Sequence, residues 1–214
     1  MANDQYLYRI LSFEHIVDIF ESESLYFASP RSWDDPYESY LSADETGAVF
    51  AQCWSKRAVS DAMWRIYSND RRGLRIRTSR SKLKLSLKTA REETGISWLV
   101  QDVTYEKSYL VRKRLAEIRE EIRLEPSARR AADSLLTKRD AFDHEYEVRA
   151  IVRDKANHEE KGFLRVAVRP HELIENIYFD PRVDRFYERV CTHYLRSKLK
   201  YKGAISRSSL YKEI

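Results

Sequence analysis

The stretch FDHEYEVRAIV, from Phe142 to Val152, constrains the fold of this chain more than any other segment. Its branched and aromatic residues read as a strand that runs from Ala141 to Val152. Alternation along a strand sends residues i and i+2 to one face. Glu145 and Glu147 are therefore expected side by side, about 7 Å apart at the alpha carbons. Tyr146, Val148 and Ala150 would occupy the other face. Two adjacent carboxylates repel, so the pair calls for a cation, a shifted pKa or a chemical use. On an edge strand, Glu145, Glu147 and Arg149 would simply keep the edge soluble. As a site, Glu147 would stabilise a positive centre or bond a sugar hydroxyl, and Glu145 would activate an incoming nucleophile.

The rest of the chain mixes the two hydrophobic periods. Tyr6 to Leu11 reads as a strand, and Ser12 can cap the helix after it. Phe13, Ile16, Val17 and Phe20 recur at helical spacing. Leu25 to Ala28 is a strand, and Asp34 or Asp35 before Pro36 suits a helix start. Val49 to Ser55 reads as a buried strand. Val59, Ala62, Met63, Ile66 and Tyr67 give another helical face, and Leu74 to Arg77 alternates as a strand does. Leu83, Leu85 and Leu87 also alternate, yet the run of good helix formers after Ser79 favours a helix over residues 80–91. Leu110, Val111, Leu115, Ile118 and Ile122 form an amphipathic helix. A second helix is expected from Glu125 and Pro126 to about Lys138. Phe163 to Val168 is expected to pair with the Glu145–Glu147 strand as a hairpin. A strand over Ile174 to Phe179 and a long helical face from Val183 to Leu195 follow. The pattern predicts an α+β fold: a mixed, mostly antiparallel sheet core with flanking helices. It forms one domain over residues 1–214, with a helical insert at about 110–138 before the Glu-x-Glu strand.

Composition narrows the function classes. No 18-residue apolar run suits a membrane span. Met1 to Gln5 lacks the basic and apolar regions of a signal peptide. Cys53 and Cys191 lie far apart and match no metal spacing, which suggests a reduced, cytoplasmic protein. The five histidines form no HExxH or close pair, so no metal site is expected. There is no P-loop and no GxGxxG, which leaves phosphate recognition to arginines or helix ends. A net charge of +5 and a pI of about 9.1 favour anionic partners, a nucleotide or nucleic acid. Nine basic residues and no acidic ones lie between Arg71 and Arg91. Such a run is either a solvated face or a nucleic-acid surface built on Arg71, Arg72, Arg75, Arg77, Lys82 and Lys84.

The chain resembles the bacterial family called Domain of Unknown Function 2971. The likeness rests on Leu7-Tyr8-Arg9, Leu25 to Pro30, Trp33 to Glu38, Cys53-Trp54-Ser55, Met63-Trp64 with Tyr67, Gly73, and Glu145 to Arg149. It spans nearly the whole chain and implies no established activity. A weaker resemblance is to ADP-ribosyltransferases of the Arg–Ser–Glu class, through the order Arg9, Ser55, Glu145 and Glu147. That likeness implies NAD as substrate. Arg9 would grip its phosphate or ribose, and Ser55 would order the Glu and the nicotinamide side. Glu147 would bind the ribose and stabilise an oxocarbenium-like state, and Glu145 would orient an acceptor or water. Tyr26 or Tyr67 would stack on nicotinamide. The sequence departs from that class at Trp54-Ser55-Lys56, where a Ser-Thr-Ser run is usual. The alternative is a nucleic-acid-binding or phage-defence module without catalysis, and a third reading makes the helical insert a protein-interaction surface.

Overall fold

Period-2 and period-3.6 stretches alternate along a computed structural model that describes residues 4–40, 49–125, 128–154 and 162–212. In chain order the elements are β1 (Tyr6–Leu11), α1 (Phe13–Glu21), β2 (Ser24–Ala28), β3 (Val49–Ser55), α2 (Asp61–Tyr67) and β4 (Leu74–Ser79). Next come α3 (Arg80–Thr94), β5 (Ser97–Asp102), β6 (Thr104–Glu106), α4 (Ser108–Leu124), α5 (Ala128–Ser134) and β7 (Thr137–Arg139). The chain continues with β8 (Glu147–Arg153), β9 (Phe163–Ala167), α6 (Pro170–Leu173), β10 (Asn176–Phe179), α7 (Arg185–Ser197) and β11 (Ala204–Arg207). The fold is α+β, with mostly antiparallel pairing. Among the described residues no helix is long and apolar enough to cross a membrane. The chain divides into two compact units, one of Met1–Leu25, Ser55–Ser86 and Ala167–Ile214, the other of Tyr26–Trp54 and Leu87–Val166.

The first unit is built on the strand order β11-β10-β4-β1. β1 runs antiparallel to β4 from Tyr6 opposite Ser79 to Leu11 opposite Leu74, and Tyr8 also lies opposite Ser55. Ser12 caps α1 as expected, its Oγ accepting the His15 N–H at 3.3 Å. The helix buries Ile16, Ile19 and Phe20, and the Phe20 ring meets His171 and Tyr201 edge-on. Asp184 caps α7 by accepting the N–H groups of Phe186 and Tyr187. Fully buried Asp180 accepts from Ser68 Oγ at 2.7 Å and Arg182 Nη2 at 2.8 Å. The same Arg182 nitrogen donates to the carbonyls of Trp64 and Ser68, which closes the C-terminal end of α2.

Gly203 fits where no side chain does. A Cβ there would collide with the Tyr201 ring and stand 2.6 Å from the Glu175 carbonyl oxygen. Backbone cannot swing aside as a side-chain tip can. Gly203→Ala is expected to lower the unfolding free energy by about 1–3 kcal/mol. Urea denaturation measures this, and an unchanged midpoint would contradict the packing described.

The second unit carries the strand order β5-β8-β3-β2-β9, with β6 and β7 as a separate parallel pair. One sheet face holds Val49, Ala51 and Ile151, with Leu99 packed against them. Ile118 and Ile122 of α4, Ala131 of α5, and Leu135 and Leu136 cover that face. The two helices stand where the insert at 110–138 was expected, and they lie over the side of β8 that also presents Glu147 and Arg149.

Several expectations fail here for physical reasons. The strand does not begin at Ala141, because Asp140–Glu145 winds into a 3-10 turn and Tyr146 takes left-handed φ 50 and ψ 53. Glu145 therefore does not share a strand face with Glu147. β8 is not an edge strand, since β3 and β5 occupy its two sides. For the same reason β9 cannot pair with it as a hairpin, and it lies beside β2. The helix expected to reach Lys138 ends at Ser134, and Lys138 belongs to β7. Asp35 accepts the Tyr37 N–H in a turn and pairs with Arg139 at 3.0 Å; it does not cap an α-helix.

Candidate functional site

The carboxylates singled out in the sequence lie in a buried charge cluster of the second unit. Arg149 is 0% exposed and Glu147 is 3% exposed. Both point from β8 to the side that α4 and α5 cover, as residues two apart on a strand must. Arg149 Nε donates to Glu147 Oε1 at 2.7 Å, and Nη2 to Oε2 at 3.1 Å. Nη2 also bonds Glu38 Oε1, and Nη1 donates to the Leu135 carbonyl at 2.7 Å. The guanidinium lies over the Trp33 ring, 4.6 Å from its centroid. Every face of this arginine is occupied, which is what a fully buried guanidinium requires.

Lys138 binds the same group from the other side. Its Nζ donates to Glu145 Oε2 at 2.6 Å and to Glu147 Oε2 at 3.3 Å, and stands 3.7 Å from Glu38 Oε2. Glu145 is thus buried and ion-paired, not a solvated edge charge. The 3-10 turn and the left-handed Tyr146 replace the strand geometry, and Lys138 joins the two carboxylates. The Glu147 N–H donates to the Tyr105 hydroxyl at 2.9 Å, and the Cys53 thiol hydrogen-bonds the Glu147 carboxylate.

The environment drives the acids apart. Burial alone would raise the Glu147 pKa, but the charge and hydrogen bonds of Arg149, with Lys138, lower it to about 2. At Glu38 burial outweighs Arg149 and Lys138, and the carboxyl is pushed up. Burial and then the Glu147 charge push the Cys53 thiol well up, so it stays protonated and is no nucleophile. Divergent carboxyl pKa values within one cluster are the pattern that separates a fixed charge from a proton carrier.

A stability consequence follows. Glu147 has a folded pKa below its ordinary value of 4.5. Its contribution is complete above pH 4.5 and is lost as the pH falls toward 2, by about 3 kcal/mol in total. The raised pKa of Glu38 acts in the opposite sense, because protonation favours its buried form. Urea denaturation at pH 7, 4 and 2.5 is expected to show this acid-side loss, and Glu147→Gln to shrink it. An equal loss in the variant would assign it elsewhere.

The other residues named from sequence are distributed differently. Arg9 and Ser55 both belong to the first unit, on strands that touch. Tyr8 lies directly opposite Ser55, whereas Arg9 lies opposite Ile76. Ser55 therefore shares the Tyr8 face and Arg9 projects from the other, so their order along the chain does not bring them together. Ser55 Oγ accepts the Arg57 N–H at 3.1 Å. Tyr67 is half exposed and lines a cleft of about 270 Å³ with Glu14, Asp70, Arg72 and Tyr187. Tyr26 belongs to the second unit and stacks on Phe163 at 4.9 Å.

The basic run does not form one free surface. Arg75 is buried among rings, and Arg72 lies over Tyr187. Arg77 and Lys82 pair with Glu175 at 3.3 Å and 2.9 Å, while Arg71 and Lys84 are exposed. Strand alternation and the turn into α3 separate the charges. Among the described residues no group of His, Cys, Asp and Glu is placed to hold a metal ion.

Residues 63–150 match the family model described as "Protein of unknown function (DUF2971)". This agrees with the resemblance drawn from Met63-Trp64, Tyr67, Gly73 and the Glu145 to Arg149 stretch. The DUF2971 span also holds Lys138, so every member of the cluster except Glu38 and Cys53 lies inside it. No curated protein matches the chain. Similar solved structures include Thermus sp. 2.9 DarT in complex with ADP-ribosylated ssDNA, at 13% identity and a TM-score of 0.45, covering 96% of this chain and 94% of that one. Thermus sp. 2.9 DarT in complex with NAD+ is 12% identical with a TM-score of 0.43, covering 96% of each chain. At these scores neither bears on the chemistry of this chain.

Three charged members of the cluster were not singled out as site residues from sequence. Arg149 had a signal, its spacing of two from Glu147 on a strand. Lys138 was hidden by the expected helix end. Glu38 meets the cluster across 111 residues, a separation that no local pattern reports.

Proposed function

We propose that the protein consumes NAD, cleaving the bond between nicotinamide and ribose and passing ADP-ribose to an acceptor or to water. The observation that supports this reading is the Glu147 carboxylate, held ionised by its bonds to Arg149 and Lys138 beside a Glu38 carboxyl that burial pushes up. Glycosidic cleavage develops positive charge on the ribose, and a fixed anion that resists protonation stabilises it. The acceptor must lose a proton, and a carboxylate of raised pKa is the better base. Glu38, itself bonded to Arg149, suits that role because burial pushes its carboxyl up, and Glu145 at 2.6 Å from Lys138 positions the amine. Arg9 and Ser55, which carry the nucleotide-gripping roles that the resemblance implies, fall on opposite sheet faces of the first unit. Arg9→Ala and Ser55→Ala distinguish the two by their effects on KM.

The test is nicotinamide release from NAD by the purified chain, followed by chromatography with water, protein and single-stranded nucleic acid as acceptors. Nucleic acid is included because the net charge of +5 favours anionic partners. Release above a protein-free control is the expected result. Intact NAD in all three arms would overturn the reading.

A further inference from the structure

Arg75 is the buried cation of the first unit that lacks a counter-charge. It is 6% exposed. Its guanidinium stands 4.8 Å from the Tyr178 ring centroid, 5.0 Å from that of Tyr8 and 5.5 Å from that of Trp64. Its one hydrogen-bond acceptor among the described residues is the Ala58 carbonyl, bonded to Nη1. No carboxylate of the described residues pairs with it. Arg149, the other buried arginine among the described residues, is treated differently, with Glu147 and Glu38 as partners, and the part-buried Arg182 has Asp180. Arg77, two residues along the same strand face, has Glu175.

The surroundings are correspondingly short of acceptors. Arg75 Nε and Trp64 Nε1 are both sealed from solvent without a partner. Nη2 is neither sealed nor bonded among the described residues, so it is the reachable edge of the guanidinium. Burial lowers the Arg75 pKa, as expected where no anion opposes desolvation. Rings supply their negative π faces to the cation but accept no fork of N–H bonds. A buried cation with no opposing carboxylate and one reachable N–H edge suits a compact anion. A phosphoryl group fits best, because it offers several oxygens to a planar guanidinium.

We propose that Arg75, walled by Tyr8, Trp64 and Tyr178, is an anion-binding site that takes the phosphoryl group of a ligand. It lies on the sheet face that Tyr8 shares with Ser55, the face opposite Arg9. The site does not depend on NAD turnover. The phosphoryl group comes either from inorganic phosphates or from a nucleotide, and the probes separate these sources.

The experiment is isothermal titration calorimetry of the full chain with inorganic phosphate, pyrophosphate and ADP, at constant ionic strength set with chloride. Saturable binding of at least one probe is expected. Arg75→Met keeps the apolar stem, removes the charge and should weaken that binding about tenfold or more. Because it removes a buried charge without a counter-ion, Arg75→Met should also unfold at no lower urea concentration than the wild type. A guanidinium needed only for structure would give the reverse. Arg75→Lys keeps the charge, removes the planar fork of N–H donors and should weaken binding about threefold to tenfold; it serves if Arg75→Met fails to fold. Arg77→Met should change binding by less than about threefold, since its charge is already paired. Pyrophosphate binding as well as ADP assigns the phosphoryl group alone, and ADP binding much more tightly assigns a nucleotide. No saturable binding of any probe, or undiminished binding in both Arg75→Met and Arg75→Lys, would overturn the proposal.

Discussion

Arg149→Ala is expected to lower the unfolding free energy by about 3–5 kcal/mol, among the largest single-residue effects available in this chain. The guanidinium carries bonds to Glu147, Glu38 and the Leu135 carbonyl, and covers the Trp33 ring. Alanine removes all of these together and leaves three carboxylates, Glu38, Glu145 and Glu147, around one remaining cation, Lys138. A buried ion pair adds little over a packed hydrophobic pair, but half of one is costly because the orphaned charge stays desolvated. The double variant Arg149→Met with Glu147→Leu should therefore recover part of the loss. Urea denaturation measures both. A loss under about 1 kcal/mol for Arg149→Ala would mean that solvent reaches the cluster and screens it.

Glu147→Gln is expected to reduce kcat for nicotinamide release by about 10²–10³-fold, the size seen when a preorganised electrostatic group is deleted at a developing charge. Glutamine preserves shape and can still accept from Arg149 Nε, so the fold should survive. KM should change far less than kcat, because an anion that acts on the developing positive charge acts mainly in the transition state. Glu145→Gln should cost less, since the Glu145 partner Lys138 keeps its bond to Glu147. Equal turnover in wild type and Glu147→Gln would remove this carboxylate from the chemistry. Comparing its unfolding midpoint with the wild type separates lost activity from lost structure.

Much of the scaffold was legible because local forces dictated it. Ser12 before a 3.6-period face gave α1, and the helix formers after Ser79 gave α3 despite the alternating leucines. The alternation of Leu74 to Arg77 gave β4. The site was legible in part. Glu147 and Arg149 are two apart on one strand, so their pairing follows from period 2 alone. Glu145 was misplaced because the left-handed turn falls on Tyr146, and only glycine, asparagine or aspartate advertise such a turn in sequence. Residues outside one strand were beyond a local reading. Arg9 and Ser55 sit in the expected order, but the register that sets Tyr8 opposite Ser55 decides their faces. Register is a tertiary property.

The arrangement of the cluster along the chain has a consequence for how the protein breathes. Lys138, Glu145, Glu147 and Arg149 meet across separations of seven, nine and two residues. Closing such short loops costs little entropy, and the four charges sum to zero. Glu38 arrives from 111 residues away and brings the unmatched charge. With its pKa pushed up, seating it is accompanied by proton uptake as the pH approaches that value. Unseating Glu38 thus releases a proton, and mild acid holds this one contact more firmly in place even as stronger acid dissolves the pairs around Glu147.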